Sequence, residues 1–547
     1  MFKNRFLLLI ILALMLIVSA CSDGEIKDSG KEKEKEGEDK PKVEEVEKSG
    51  GSLVLGTTAA PTLFNPLFST DTSSSTIEGF IFGGLVTVDR DFNPEGDLAE
   101  SWEFTEDGLK WTFYLRKGVK WHDGEDFTAD DVVFTYGIPK DKAYVGPRGL
   151  PFENIKEVNK IDDYTVEMIL SEPYAPFITI TAQFEILPKH ILGDVPIADL
   201  ATHRFNTKEP IGTGPFKFKE WKDGEYIELV ANEDYFKGKP KLDSIIYKIV
   251  PDENTLMAQL QVGDVSMTGI SPQYVEMAKK LESEGTVALS TGASNSWEYI
   301  GYNLRNELFQ DKLVRQALTH AIDKEAIVQA VLDGAGIVAN GPGSPANWSF
   351  NPDMPKFEYD QDEAKKKLKE AGWEPGADGI MEKDGKKFEF VLKTTSANEI
   401  RMQIAEIVQQ QLNEIGIKAS IELLEWSAYV EQTGPPVWNF DAIVAGWSIG
   451  SDPDPTWFWH TSEIENGLNY GAYSNEKVDK LLSENTLISD LEERKRIIGE
   501  ADAIVAEDQP SSFLYHPNGT LATAPNLKGP IFNASNTYYK IHEWYFE

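Results

Sequence analysis

Only one of the chain's 547 residues, Cys21, is a cysteine. The chain must therefore fold without an intrachain disulfide and without a cysteine-rich zinc site. A hydrophobic core has to hold the fold instead, and the composition supplies one. Apolar residues make up 41% and charged residues 26%, the balance of an ordinary globular protein. At roughly 150 residues per domain, the length predicts three or four domains, or fewer large ones.

The position of that cysteine carries a second constraint. Lys3 and Arg5 precede an uninterrupted apolar run of 13 residues from Phe6 to Val18. A membrane-spanning helix needs about 20 residues, so the run fits the core of an export signal better. Small residues, Ser19 and Ala20, then lead into Cys21. This is the lipobox pattern of bacterial lipoproteins: a thiol to take a diacylglycerol, and small residues to admit a signal peptidase. The alternative is a plain signal peptide with a chance cysteine. The reading predicts a signal peptide over 1–20, lipidation at Cys21 and a tether over 21–48. The tether contains the run KEKEKEGEDKPK and no aromatic residue, so it cannot bury enough surface to offset its chain entropy.

Lys plus Arg number 53 against 90 Asp plus Glu, a net charge of -37. Such a chain repels phosphate, which excludes nucleic acid as a partner and disfavours bare anionic membrane. The seven histidines are scattered and form no H-E-x-x-H. After the N-terminal run, no segment approaches 18 consecutive apolar residues, and no repeat of 20–50 residues stands out.

From Gly51 onward short strands and helices alternate, which predicts a mixed α/β fold. Ser52–Gly56 reads as a first strand. Trp102–Thr105 and Lys110–Leu115 flank an Asp-Gly turn and read as a hairpin. Lys156–Ile161 and Tyr164–Leu170 read as a second. Thr128 with Asp131 three residues later predicts a capped helix start. Asp311 to Leu332 reads as one long helical stretch, with Leu313, Val314, Ala317, Leu318, Ala321 and Ile322 on one face. Gln361–Ala371 and Ile400–Ile415 read as helices stopped by Gly372 and Gly416. Lys418–Leu424 and Phe440–Ala445 read as strands.

Motif order then brings a resemblance into view. Leu98-Ala99-Glu100-Ser101-Trp102, Leu115-Arg116-Lys117-Gly118-Val119-Lys120-Trp121-His122-Asp123-Gly124 and Phe127-Thr128-Ala129-Asp130-Asp131-Val132 resemble the signature of the family-5 extracellular solute-binding proteins. These are the oligopeptide, dipeptide and nickel receptors of ABC importers. Pro210-Ile211-Gly212-Thr213-Gly214-Pro215-Phe216, Val262-Gly263-Asp264-Val265, Val314-Arg315-Gln316-Ala317-Leu318, Ala321-Ile322-Asp323-Lys324, Gly341-Pro342 with Pro345, and the stretch Trp447 to Pro455 follow in the same order. The resemblance spans 51–547. It implies a two-lobed type II periplasmic-binding-protein fold, with two crossover strands and a third domain inserted in the N-terminal lobe. The implied boundaries are 51–83, 209–297 and 512–547 for lobe one, 84–208 for the inserted domain and 298–511 for lobe two.

The implied function is a monomeric, lipid-anchored receptor on the outer face of the cell membrane. It would capture oligopeptides and deliver them to the permease and ATPase subunits of an importer, without cofactor or catalysis. A receptor for nickel or another small solute is the alternative. By the resemblance, Trp426 and Trp447 line the peptide site, where rigid aromatic faces suit varied side chains. A peptide ammonium needs a carboxylate when buried. The family places it in the loop after Trp447, three residues on in the enteric peptide receptors. Here that place is Gly450, so Asp452 is the first candidate and Asp454 the second. Trp297, Tyr299, Tyr515 and Asn65 fall in segments that border the family's cleft, with core packing the alternative for the aromatics. Trp457 and Trp459 read as core.

Two competing chemistries are weighed against this. Gly446-Trp447-Ser448-Ile449-Gly450 is a literal G-x-S-x-G, with His460 and His516 later in the chain. A nucleophile elbow needs a helix directly after the serine, and Pro453 and Pro455 oppose one. A metal site from Asp452, Asp454 and His460 has no further histidine to complete it. Gly379 to Lys387 has the wrong spacing for a phosphate-binding loop.

Overall fold

In the computed structural model the described residues are 50–547, apart from Ala397 and Asn466. The signal segment, Cys21 and the tether lie outside them.

The fold is organised by one extended strand. Ser511–Thr523 pairs through its first residues with Ser296–Tyr302 and through its last with Ala288–Ala293 and Met267–Ile270, all antiparallel. It therefore belongs to two sheet halves at once. On one side lie Met267–Ile270, Ser52–Thr57, Ser244–Ile249, Tyr226–Ala231 and Phe216–Lys222. On the other lie Ser296–Tyr302, Ala442–Ser448, Glu389–Thr395 and Lys418–Leu424. Ala288–Ala293 continues directly into Ser296–Tyr302 and so makes a second crossing beside the first. Two lobes joined by two crossover strands is the type II binding-protein arrangement that the motif order implies.

A separate four-stranded antiparallel sheet forms within 99–170, in the order Ala99–Phe104, Lys110–Leu115, Thr165–Leu170, Ile155–Asp162. Both hairpins expected from their turns are present. In the strand Lys110–Leu115 the alternation buries Trp111, Phe113 and Leu115, each at most 2% exposed. Burial of such side chains contributes about 1.5–3 kcal/mol each. The helix Ala129–Gly137 covers this sheet. It opens on the expected capping box: Asp131 Oδ2 accepts from the Thr128 amide at 3.0 Å, and Thr128 Oγ1 caps the first turn.

The motif Pro210-Ile211-Gly212-Thr213-Gly214 has a steric reason. The Gly214 amide donates to the Ile81 carbonyl at 2.8 Å. A β-carbon at Gly212 would come within 1.9 Å of that same oxygen, and one at Gly214 within 2.5 Å of the Phe80 carbonyl. Only glycine lets this segment lie against the end of the helix Thr72–Ile81.

One expected helix is divided. The stretch 311–332 is two helices, Lys312–His320 and Lys324–Leu332, not one. Asp323 ends the continuity by accepting from the Ala326 amide at 2.9 Å, as an N-cap. Ala321 and Ile322 at the break are fully buried, so the apolar periodicity runs through it unbroken. The helix Glu399–Glu414 stops before Gly416, whose φ of 80° only glycine adopts easily. It crosses between Glu389–Thr395 and Lys418–Leu424, which pair in parallel.

Candidate functional site

The strand Ala442–Ser448 runs antiparallel to Ser296–Tyr302, with Trp447 opposite Trp297. It extends three residues beyond the expected Phe440–Ala445 because this pairing continues through Ser448. The half-buried Trp447 packs against Phe458 at 5.2 Å and Tyr470 at 5.5 Å between ring centres. Trp426 opens the helix Trp426–Thr433, stacks on Tyr429 at 5.8 Å and keeps half its surface exposed. Both tryptophans keep part of their surface exposed.

The loop after Trp447 corrects the expected ammonium anchor. Asp452 is 5% exposed and forms a two-bond ion pair with Arg494, at 2.7 and 2.8 Å. Its Oδ2 also accepts from Thr179 Oγ1 at 2.8 Å, and its Oδ1 from the Asp454 amide at 3.1 Å. A carboxylate has about four lone-pair positions, and four donors fill them here. Asp452 is thus committed to fixing the loop, not to meeting a ligand. Asp454 is also engaged. Its Oδ1 accepts from the Thr456 amide and hydroxyl and from Asn485 Nδ2, at 3.1, 2.6 and 2.9 Å. Burial, and then the charge of Asp452, push its carboxyl up to about 6. The Thr179 bond comes from the segment after the four-stranded sheet, and the Ala175 amide donates to the Thr486 carbonyl at 2.6 Å nearby. The loop is therefore tied to the inserted region through Thr179, and the end of the helix Glu476–Asn485 is tied to it through Ala175.

Four further expectations for the cleft change with the geometry. Trp297 and Tyr515 are each 1% exposed and Tyr299 is 5% exposed. All three pack in the apolar clusters around the strands Ser296–Tyr302 and Ala442–Ser448, because the sheet halves meet where these strands pair. Asn65 is fully buried; its Nδ2 donates to Asn206 Oδ1 at 3.0 Å and its Oδ1 accepts from the Leu67 amide at 3.2 Å. It holds a turn together. Of the two tryptophans expected in the core, Trp459 is buried and Trp457 is 43% exposed.

Two acidic residues that the sequence reading passed over line a cavity of about 380 Å³. Its walls come from three segments: Ser69 and Glu78 beside and on the first helix, Arg148 with Thr179 to Glu185, and Gly450 and Ser451 of the loop after Trp447. Glu78 is 2% exposed; its Oε2 accepts from Ser69 Oγ at 2.9 Å, and its Oε1 has no hydrogen-bond partner. Burial, with Glu185 adding like charge, pushes Glu78 up to about 8. Glu185 is half-buried, and desolvation lifts it to about 7. Neither is ion-paired among the described residues. Each had a sequence signal: Glu78 follows Ile77 and precedes Phe80-Ile81, and Glu185 sits inside Phe184-Glu185-Ile186-Leu187. A lone acid in an apolar run is either buried or badly placed.

The hydrolase geometry is not formed. A loop follows Ser448, and the next helix, Thr456–Trp459, starts only after Pro455. Ser448 Oγ donates to the Asn295 carbonyl at 3.5 Å. His460 bonds Ser462 and Ser483, and His516 bonds the Ser296 carbonyl at 3.0 Å. Among the described residues no group of three His, Cys, Asp or Glu side chains could hold a metal ion.

The fold and these motifs have counterparts. Residues 93–468 match the description of bacterial extracellular solute-binding proteins, family 5. The chain is 45% identical to the oligopeptide-binding protein AppA of Bacillus subtilis over 543 residues, 98% of each chain. The structure of that AppA in complex with a nonapeptide aligns with a TM-score of 0.74 and 46% identity, covering 91% of this chain and 99% of the other. The structure of NikZ from Campylobacter jejuni with a nickel–L-histidine complex aligns with a TM-score of 0.74 and 30% identity, covering 90% and 99%. The chain belongs to the family-5 bacterial extracellular solute-binding proteins, which are binding proteins of transport systems and not enzymes.

Proposed function

We propose that this protein is the lipid-anchored extracellular receptor of an ABC importer and that its ligands are oligopeptides. The observation that carries the reading is the 45% identity to an oligopeptide-binding protein across 98% of both chains. A cavity walled by lobe one, the inserted region and the lobe-two loop supports it, because a ligand there is enclosed when the lobes approach. Trp426 and Trp447 offer aromatic faces that accept many side chains. In this reading the lobes comprise 51–83, 209–297 and 512–547, and 298–511, with 84–208 inserted. They close by bending at Ala288–Tyr302 and Ser511–Thr523. Cys21 carries the lipid, 21–48 is the tether, and the closed monomer docks on the permease.

The test exposes immobilised protein to a degenerate pool of nonapeptides and identifies what is retained by mass spectrometry. Retention of intact peptides at one per protein supports the reading. Retention of nothing from the pool, alongside stoichiometric uptake of a nickel–histidine complex, assigns the protein to the other ligand class of its family.

A further inference from the structure

With Asp452 and Asp454 occupied, the cavity beside the Trp447 loop still holds two carboxylates without an ion-pair partner. Glu78 enters from the helix Thr72–Ile81, and Glu185 from the inserted region. Among the described residues Arg148 is the one cation on the same wall, and its Nε donates to the Ser69 carbonyl at 3.1 Å. Once both carboxylates are ionised, the one guanidinium leaves one negative charge unmatched. Glu78 Oε1 is the sharper observation. The Glu78 side chain is 98% removed from solvent and lines the cavity, and this oxygen of it has no hydrogen-bond donor. A buried acceptor in that state costs about 1–3 kcal/mol until something donates to it. A primary ammonium is a compact cation with three N–H donors, so it fits both the charge and the missing bond. A divalent metal does not, because no third ligating side chain stands beside the two carboxylates among the described residues.

We propose that Glu78 and Glu185 form a subsite of the cleft that receives a primary ammonium group of the ligand, either a peptide N-terminus or a lysine side chain. The inference rests on the peptide reading above. It moves the charge recognition from lobe two, where the loop carboxylates are internally paired, to the junction of lobe one with the inserted region.

Protons accompany the step. Glu78 sits near 8 and Glu185 near 7. An arriving cation favours the ionised carboxylates, so binding near neutral pH releases a proton. The charged groups facing Glu78 are Glu185 and Arg148 across the cavity and Asp71 at the start of its own helix; Glu185 faces Arg148 and Asp97. On the lobe-two side Asp452 is already matched by Arg494.

The test uses three degenerate nonapeptide pools: free amine without Lys or Arg, the same pool N-acetylated, and an N-acetylated pool with one lysine. Each is titrated into the unchanged protein and into the Glu78→Gln and Glu185→Gln variants. The Glu78→Gln change keeps the side-chain shape and the acceptor for Ser69, and the second variant stands if the first is unstable. Expected is a tenfold or larger loss of affinity for an amine-bearing pool in either variant, with the acetylated lysine-free pool binding all three proteins alike. Titration in buffers of different ionisation enthalpy should show proton release only with an amine-bearing pool. Tight binding of the first pool alone assigns the subsite to the N-terminus, and recovery in the third pool assigns it to lysine. Equal binding of acetylated and free pools to the unchanged protein, or undiminished binding by both variants, overturns the subsite and leaves the peptide reading standing. Binding of none of the pools removes the peptide reading and the subsite with it.

Discussion

Replacing Asp452 with alanine separates two roles for that residue. In the structure both oxygens of Asp452 serve Arg494, and the Arg494 side chain is 2% exposed. Removing the carboxylate leaves a buried guanidinium with Asn485 as a neutral partner at 3.1 Å and Asp454 nearby. Breaking one side of a buried pair costs on the order of 3–5 kcal/mol, and the presence of Asp454 places this case at the low end. At 1.4 kcal/mol per factor of ten, that is roughly a hundredfold or more in the unfolding equilibrium. Urea titration followed by tryptophan fluorescence reads the loss, and amide exchange in the helix Leu491–Asp508 locates it. The double change Asp452→Ala with Arg494→Met removes both charges and should recover most of the stability, because the penalty comes from the orphaned charge. The reasoning is refuted if Asp452→Ala unfolds like the parent yet loses a hundredfold in affinity for free-amine peptides. That outcome would make Asp452 a ligand residue after all.

Other parts of the chain give further expected outcomes. Asp502 is 3% exposed, and burial alone pushes its carboxyl up to about 7. The folded chain then keeps a proton that the unfolded chain loses above about 4, so this residue makes stability fall as pH rises from about 4 to 7. Asp502→Asn should flatten that slope and raise the urea midpoint at pH 8, whereas an unchanged slope counts against the assignment. His122 and His516, both pushed down to about 4 by burial, act with the opposite sign between about 4 and 6.5. Gly212→Ala should cost about 1–3 kcal/mol through its clash with the Ile81 carbonyl, measured by thermal unfolding; a neutral effect would contradict the close approach. Cys21→Ser should leave the precursor unprocessed or release the protein from cells, read by fractionation, and a processed membrane-bound Ser variant would contradict lipidation.

The local parts of the fold were legible because their causes are local. Thr128 and Asp131 sit three residues apart and cap one helix, and the Asp107-Gly108 turn folds its hairpin without distant help. Asp323 shows the limit, since a cap inside an apolar pattern breaks a helix without breaking its periodicity. The site was less legible because its deciding contacts are remote in sequence. Asp452 is satisfied by Arg494, 42 residues on, and by Thr179, 273 residues back. Its Asp-Pro-Asp-Pro setting reads identically whether the carboxylate faces a ligand or an arginine. Burial of Trp297, Tyr299 and Tyr515 is likewise a consequence of which strands pair, which spacing alone does not specify. Glu78 and Glu185 could have been flagged as acids inside apolar runs, but their meeting across a helix and an inserted region is a tertiary event.

Native mass spectrometry of the protein purified from its producing cells tests the central claim most directly. The account predicts a mass excess equal to one bound oligopeptide per chain, heterogeneous in sequence, with the peptides recovered intact after denaturation. A ligand-free mass that stays unchanged on incubation with peptides, a stoichiometric metal complex in their place, or recovery of the peptides as cleaved fragments would contradict it.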